Sequence, residues 1–141
     1  MSQNTAKTPV EPAIWRCAVP SPLRRTFDYL PSEGCHGAAT PGARVTVPFG
    51  KRSVTAVILS ITAESSVEPA KLKAATALLD EQPLYTDTQR ALLSWAADYY
   101  QHPLGEVLPL VLSPRERRGQ PERALTETGI RLTAWGQGLP A

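Results

Sequence analysis

The sequence is poor in the residues that build covalent frameworks and most catalytic centres. Two cysteines, Cys17 and Cys35, occur in 141 residues and form no CxxC pair. Two such residues make no disulfide scaffold, and a reduced, cytoplasmic setting is expected. Met1 is the only methionine, which leaves no methionine-rich groove for a partner. No apolar run approaches the roughly 20 residues needed to span a bilayer. The first twelve residues are polar, with no apolar stretch of a secretion signal. Phosphate-loop GxxxxGK[ST], HExxH and GxSxG patterns are all missing. Cys17, Cys35, His36 and His102 lack metal-ligand spacing. Asp28 and Glu33 lie near a turn, where carboxylates are ordinarily just solvated. Nothing argues for catalysis by this chain, and no bound metal or other cofactor is expected in it.

What the chain does have is turn formers: 14 prolines and 9 glycines around short apolar runs, with 42% hydrophobic residues. That mixture points to small strands joined by ordered loops and to one modest core. The net charge is only +2. Its distribution is uneven: residues 1–75 hold nine basic and five acidic side chains, and residues 76–141 hold six and eight. A basic first half suits a surface that follows phosphates, although on charge alone a solvated surface serves as well.

Along the chain, residues 1–12 read as a flexible tail. Ala13 to Val19 and Thr26 to Leu30 are short strands, separated by the stiff Pro20-Ser21-Pro22 connector. Arg44 to Pro48 alternates and is β-branched. Val54 to Thr62 is the strongest strand signal, and the two should pair across the Phe49–Arg52 turn. Lys71 to Leu79 is ambiguous between helix and strand. Thr86 or Asp87 can cap a helix to about Tyr100, with Leu92, Leu93, Ala96 and Tyr100 on one face. Pro103 can open a second short helix to about residue 112. Residues 113–123 read as a linker, and residues 124–141 as the first piece of a following domain. The expected fold is α+β: a small, mostly antiparallel, partly barrel-like β-sheet with two C-terminal helices.

Several residues have two readings. Phe27 in a short strand reads first as core, Asp28 as a turn cap, and Lys73 as a solvated lysine. Gly50 suits a turn that needs a positive φ. Trp95, Tyr99 and Tyr100 resemble an aromatic platform for DNA, yet their place on an amphipathic helix favours core packing. Trp15 is open between the two.

Three segments in order carry a resemblance. They are Pro22-Leu23-Arg24-Arg25-Thr26-Phe27-Asp28-Tyr29-Leu30, Pro41-Gly42-Ala43-Arg44-Val45-Thr46-Val47-Pro48-Phe49-Gly50-Lys51, and Ala96-Ala97-Asp98-Tyr99-Tyr100 with His102-Pro103-Leu104-Gly105-Glu106-Val107-Leu108. Together, over about Ile14 to Leu112, they resemble the N-terminal DNA-binding domain of the primosomal protein N′ (PriA) family of bacterial replication-restart helicases. One departure is visible: where that family usually has a glycine early in the strand after the turn, this chain has Thr55 or Ala56.

The resemblance implies recognition of the 3′ end of the nascent leading strand at stalled or branched forks. Carried over by motif, the end pocket would use Phe27 for base contact, Asp28 as an acceptor, Gly50 for close backbone approach and Lys73 as a cation. Arg24, Arg25, Arg44, Lys51 and Arg52 would meet the DNA backbone. The domain would span residues 13–112, and the segment from 124 would begin a winged-helix-like domain. ATP and zinc would belong to other domains of the family's full-length helicases. Expected partners are DNA with a free 3′ end, the remaining helicase domains, single-strand DNA-binding protein and other primosome proteins, with no membrane and a nucleoid-associated location. The alternative is a protein-interaction module docking on helicase lobes or on single-strand-binding protein. A third reading, an enzymatic sugar- or nucleotide-binding barrel, needs convergent titratable groups that the sequence does not show.

Overall fold

The structure, a computed structural model, describes residues 13–33 and 39–121, together with residue 138. The expectations for the tail 1–12, for Cys35 and His36, and for the segment 124–141 as a domain start lie outside the described residues.

Five strands form one antiparallel sheet: β1 (Ile14–Ala18), β2 (Phe27–Tyr29), β3 (Arg44–Phe49), β4 (Arg52–Thr62) and β5 (Ala77–Leu78). Their order is β2-β1-β4-β3-β5. β4 is the longest strand and the central one, and its composition explains why. Alternate side chains leave opposite faces of a strand. Ala56 and Ile58 join the main core with Trp15, Cys17, Val45 and Val47. Val57 and Leu59 face a second cluster with Ala18, Tyr85, Leu108 and Leu112. A strand covered on both faces reads as a continuous apolar run, which is what Val54 to Thr62 shows. Trp15, open at the level of sequence, is a core residue.

The β3–β4 hairpin pairs in unbroken register from Arg44↔Val57 to Phe49↔Arg52. Thr55 and Ala56 are therefore accommodated without disturbing the ladder. Gly50 has φ +63°, and Lys51 is not among the positive-φ residues. A positive φ at the first of two turn residues alone is the pattern of a type II′ hairpin turn. β1 and β4 keep register except between Arg16 and Cys17, where Leu59 is the extra residue of a bulge.

The sheet is not closed, but its two edges touch. Leu30, just after β2, bridges Ala74 in parallel. The Leu30 amide donates to the Lys73 carbonyl at 2.9 Å, and the Ala75 amide donates to the Leu30 carbonyl at 2.8 Å. The ambiguous Lys71–Leu79 stretch is thus extended and ends in β5. Its alanines favour a helix only weakly. The open edge of β3 takes the backbone instead: the Thr76 and Leu79 amides donate to the Thr46 and Arg44 carbonyls.

Helix α1 (Asp87–Tyr99) opens with a capping box between Thr86 and Gln89. α2 (Leu104–Val107) continues as a 3₁₀ turn over Leu108–Val111. Gly105 is required where α2 meets the sheet, because a Cβ there would fall 1.8 Å from the Val19 carbonyl oxygen. The α1 expectation needs correction. Leu93 and Ala97 face the domain, but Leu92, Trp95, Tyr99 and Tyr100 are exposed, Trp95 by 58% and Tyr99 by 66%. At 100° per residue, Leu92, Trp95 and Tyr99 lie opposite Leu93 and Ala97. Apolar residues surround this helix, so periodicity could not tell which side packs.

The linker expectation also changes. Residues 114–117 form a short helix, α3 (Pro114–Arg117), capped by Ser113 and Glu116. Arg117 Nε donates to the Pro109 carbonyl at 2.8 Å, which ties α3 to the preceding turn. No helix among the described residues is long and apolar enough to cross a membrane.

Candidate nucleic-acid interface

The touching sheet edges create a cavity of about 330 Å³, near the lower end of the range of small-ligand sites. β2 supplies Phe27 and Asp28, β3 supplies Phe49, and the segment leading to β5 supplies Lys73. Lys73 reaches this position because its carbonyl is fastened to Leu30.

Phe27 and Phe49 meet edge to face, with ring centroids 5.2 Å apart and planes at 85°. The Arg25 guanidinium lies 4.8 Å from the Phe27 centroid. Phe27 is therefore an apolar wall of the cavity that carries the Arg25 guanidinium over its ring.

Asp28 is held from two sides. Arg16, its partner in the β1–β2 ladder, donates from Nε to Oδ1 at 3.0 Å and from Nη2 to Oδ2 at 3.2 Å. Ser65 donates to Oδ2 at 2.6 Å. The Arg16 hydrogen bonds, helped by Ser65 and opposed by burial, hold the Asp28 carboxyl below the usual carboxylate range. A carboxylate has about four acceptor positions. Three are filled here, which leaves one on Oδ1.

The family whose description is 3′ DNA-binding domain (3′BD), of PriA, matches residues 16–113. The chain belongs to the PriA 3′ DNA-binding domain family. It is 37% identical over 124 residues to the replication restart protein PriA of Haemophilus influenzae, covering 88% of this chain and 17% of that protein. It is 29% identical over 119 residues to that of Treponema pallidum, covering 79% and 18%. For Bacillus subtilis PriA the figures are 32% over 76 residues, 54% and 9%. The chain spans less than a fifth of the length of these relatives.

Within this 3′BD fold, Phe27, Asp28 and Lys73 line one cavity. Gly50 does not line it. It sits next to Phe49 in the hairpin turn, and a Cβ built on it would meet nothing within 4 Å. Its backbone is thus open to approach, although its positive φ already accounts for a glycine. Lys51 and Arg52 are exposed beside it. Arg24 is exposed and donates to Gln101 Oε1 at 2.8 Å. No carboxylate pairs with Lys73 among the described residues.

Arg44 is a correction. Its side chain is 0% exposed. Nε and Nη2 pair with Asp80 at 2.8 and 2.7 Å, and Nη1 donates to the Glu116 and Gln120 carbonyls at 2.7 and 2.8 Å. The hydrogen bonds to Asp80, opposed by burial and helped by the Asp80 charge, raise its pKa further. A guanidinium so enclosed cannot face a phosphate; it fastens the residues around α3 to β3. The R-V-x-V-P-F-G motif holds this arginine for structure.

Three participants were missed from sequence: Arg16, Ser65 and Phe49. Arg16 faces Asp28 only through the β1–β2 register, and Ser65 arrives from a loop 37 residues away. Neither carries a local signal. Phe49 did carry one, as it stands inside the second motif. Cys17 plays no part: burial pushes its thiol up to about 12.

Proposed function

We propose that this domain binds DNA with a free 3′ end and houses the terminal nucleotide in the Phe27–Asp28–Lys73 cavity, as the end-recognition module of a longer replication-restart protein. The observation that carries this reading is the convergence of an apolar wall, a fixed carboxylate with one open acceptor position, and the exposed Lys73 ammonium around a volume of about 330 Å³. Membership of the 3′BD family supports the DNA class.

The chemistry follows from those groups. The open position on Asp28 accepts from the 3′-hydroxyl or from a base N–H. A phosphate at that position meets like charge and loses its donor, so a blocked end is rejected. The Phe27–Phe49 wall takes the apolar face of the base or sugar, and aromatic contacts with bases are worth about 1–3 kcal/mol each. Lys73 neutralises a phosphate without reading sequence. Little in this set distinguishes one base from another, which suits forks of any sequence. In the longer protein, ATP-driven 3′-to-5′ unwinding and zinc binding would belong to other domains.

Fluorescence anisotropy of a labelled fork tests the reading, comparing a 3′-hydroxyl with a 3′-phosphate for the wild type and Asp28→Ala. The hydroxyl end should bind better, and Asp28→Ala should erase the difference. Equal binding of both ends by the wild type sinks the proposal.

A second reading is protein docking, on helicase lobes or single-strand-binding protein. The exposed Leu92, Trp95, Tyr99 and Tyr100 favour it, since apolar side chains of that size rarely cluster on a free surface without a use.

A further inference from the structure

A second cleft opens on the other side of Arg25 and Thr26, which line both cavities. It measures about 180 Å³ and lies between the Arg24–Thr26 segment and the side of α1 that carries Ser94 and Asp98, with His102 beyond the helix end. We propose that this cleft takes the sugar–phosphate of the penultimate nucleotide, so that the domain grips two linked units of a DNA strand rather than a lone terminal nucleoside. The inference rests on the terminal-nucleotide reading of the first cavity.

Four observations support it. The wall between the cavities is a bend of the chain rather than a packed element, and its one long side chain, Arg25, is exposed. From Phe27 to Arg24 the backbone reaches no more than about 11 Å, which keeps the two cavities within reach of neighbouring nucleotides. The sizes fit this order: if about 330 Å³ suits a whole nucleotide, about 180 Å³ admits a sugar and phosphate but no second base. The charges are also placed for it. Arg24 and Arg25 line one side, and Arg24 is held there by Gln101. His102 is engaged by Glu106 at 3.1 Å, and Asp98 is the acidic side chain of the cleft. A phosphate therefore sits towards Arg24 and Arg25, with the deoxyribose ring towards Ser94 and the α1 side of the cleft. Because no base enters, this second grip is blind to sequence.

NMR titration of the 141-residue chain with thymidine 5′-monophosphate and with the 5′-phosphorylated dinucleotide pdTdT, both ending in a 3′-hydroxyl, tests the proposal; the two differ by the penultimate nucleotide and its own phosphate. The wild type should bind pdTdT about fivefold more tightly than the monophosphate, the upper worth of one exposed ion pair. Arg24→Ala should remove most of that gain. Ser94→Phe, which fills the cleft from the helix side, should remove it too while leaving binding of the monophosphate in place. Equal binding of the two ligands by the wild type overturns the second grip, as does a gain that survives both substitutions. Thymidine 3′,5′-bisphosphate in the same series separates this from the end-pocket reading. If it binds as well as the 5′-monophosphate while the pdTdT gain still depends on Arg24 and Ser94, the end pocket fails and the cleft stands as part of a general strand track.

Discussion

Arg16 and Asp28 face each other across the β1–β2 ladder and join through two hydrogen bonds, Nε to Oδ1 at 3.0 Å and Nη2 to Oδ2 at 3.2 Å. The Asp28 side chain is 6% exposed and that of Arg16 is 37%. Arg16 thus fills one acceptor position on each Asp28 oxygen, and with Ser65 on Oδ2 the free lone pair is on Oδ1. Arg16→Ala should weaken the preference for a 3′-hydroxyl over a 3′-phosphate without removing the cavity, since Ser65 still holds Oδ2. Its cost in stability should be about 1–3 kcal/mol, because it leaves the nearly buried Asp28 carboxylate with Ser65 alone. Anisotropy and urea denaturation of the same variant check both statements.

The same pair makes stability depend on pH in a defined direction. Asp28 titrates lower in the folded chain than in the unfolded one, chiefly because of Arg16. Its contribution is therefore complete above the unfolded value, about 4, and fades as pH falls below that towards the folded value. The stability difference between wild type and Asp28→Asn should stay constant from pH 7 to about 5 and shrink below pH 4. Glu116 is also held low, by its bonds to Ser113, and is common to both proteins. Thermal denaturation across that range is the measurement, and a difference that grows on acidification would refute the assignment.

Arg44 should behave as a structural residue. Asp80→Ala leaves a guanidinium buried without its carboxylate, a change that typically costs 3–5 kcal/mol. Arg44→Lys should be nearly as harmful, because a single ammonium cannot replace the paired bonds to Asp80 together with those to the Glu116 and Gln120 carbonyls. Urea denaturation measures both. If either variant unfolds like the wild type and loses DNA affinity instead, the phosphate role returns.

Glycine substitutions should separate close packing from turn geometry. Gly105→Ala drives a Cβ into the Val19 carbonyl and must push α2 off the sheet, so a loss above about 2 kcal/mol is expected. Gly50→Ala meets no neighbour but must hold φ +63°, and should cost at least about 1 kcal/mol. Of the two, Gly50→Ala alone bears on DNA access. The order of their melting temperatures tests this contrast.

Much of the fold was legible because strand signals are local. The β3–β4 hairpin is marked by alternation on one side, by a run covered on both faces on the other, and by Gly50 between them. The Thr86–Gln89 cap likewise announces α1. What was not legible depends on which elements meet. Lys71–Leu79 became extended because the β3 edge offered hydrogen bonds, and Arg44 became buried because Asp80 and two carbonyls from the supposed linker enclose it. α1 misled because its apolar residues leave in every direction. Of the pocket, Phe27, Asp28 and Lys73 came from resemblance alone, while Arg16 and Ser65 had to await the register of β1 with β2 and the path of a loop.

Salt dependence should sort the surface cations that sequence could not rank. For single-stranded DNA, the logarithm of affinity falls with that of salt with a slope of about −0.7 per phosphate neutralised. Arg24, Lys51, Arg52 and Lys73 are exposed cations, and Arg25 lies over Phe27 between the two cavities. Lys51→Ala with Arg52→Ala should reduce the slope by about 1.4 if both hairpin-turn cations meet phosphates. Lys73→Ala should reduce it by about 0.7 and weaken 3′-hydroxyl and 3′-phosphate ends alike, since a phosphate contact carries no information about the end. A slope unchanged in the Lys51/Arg52 double variant, with affinity also unchanged, would confine the DNA path to the side of the sheet edge that holds Arg24, Arg25 and Lys73. Anisotropy titrations over a salt series, done with one oligonucleotide, distinguish these paths directly.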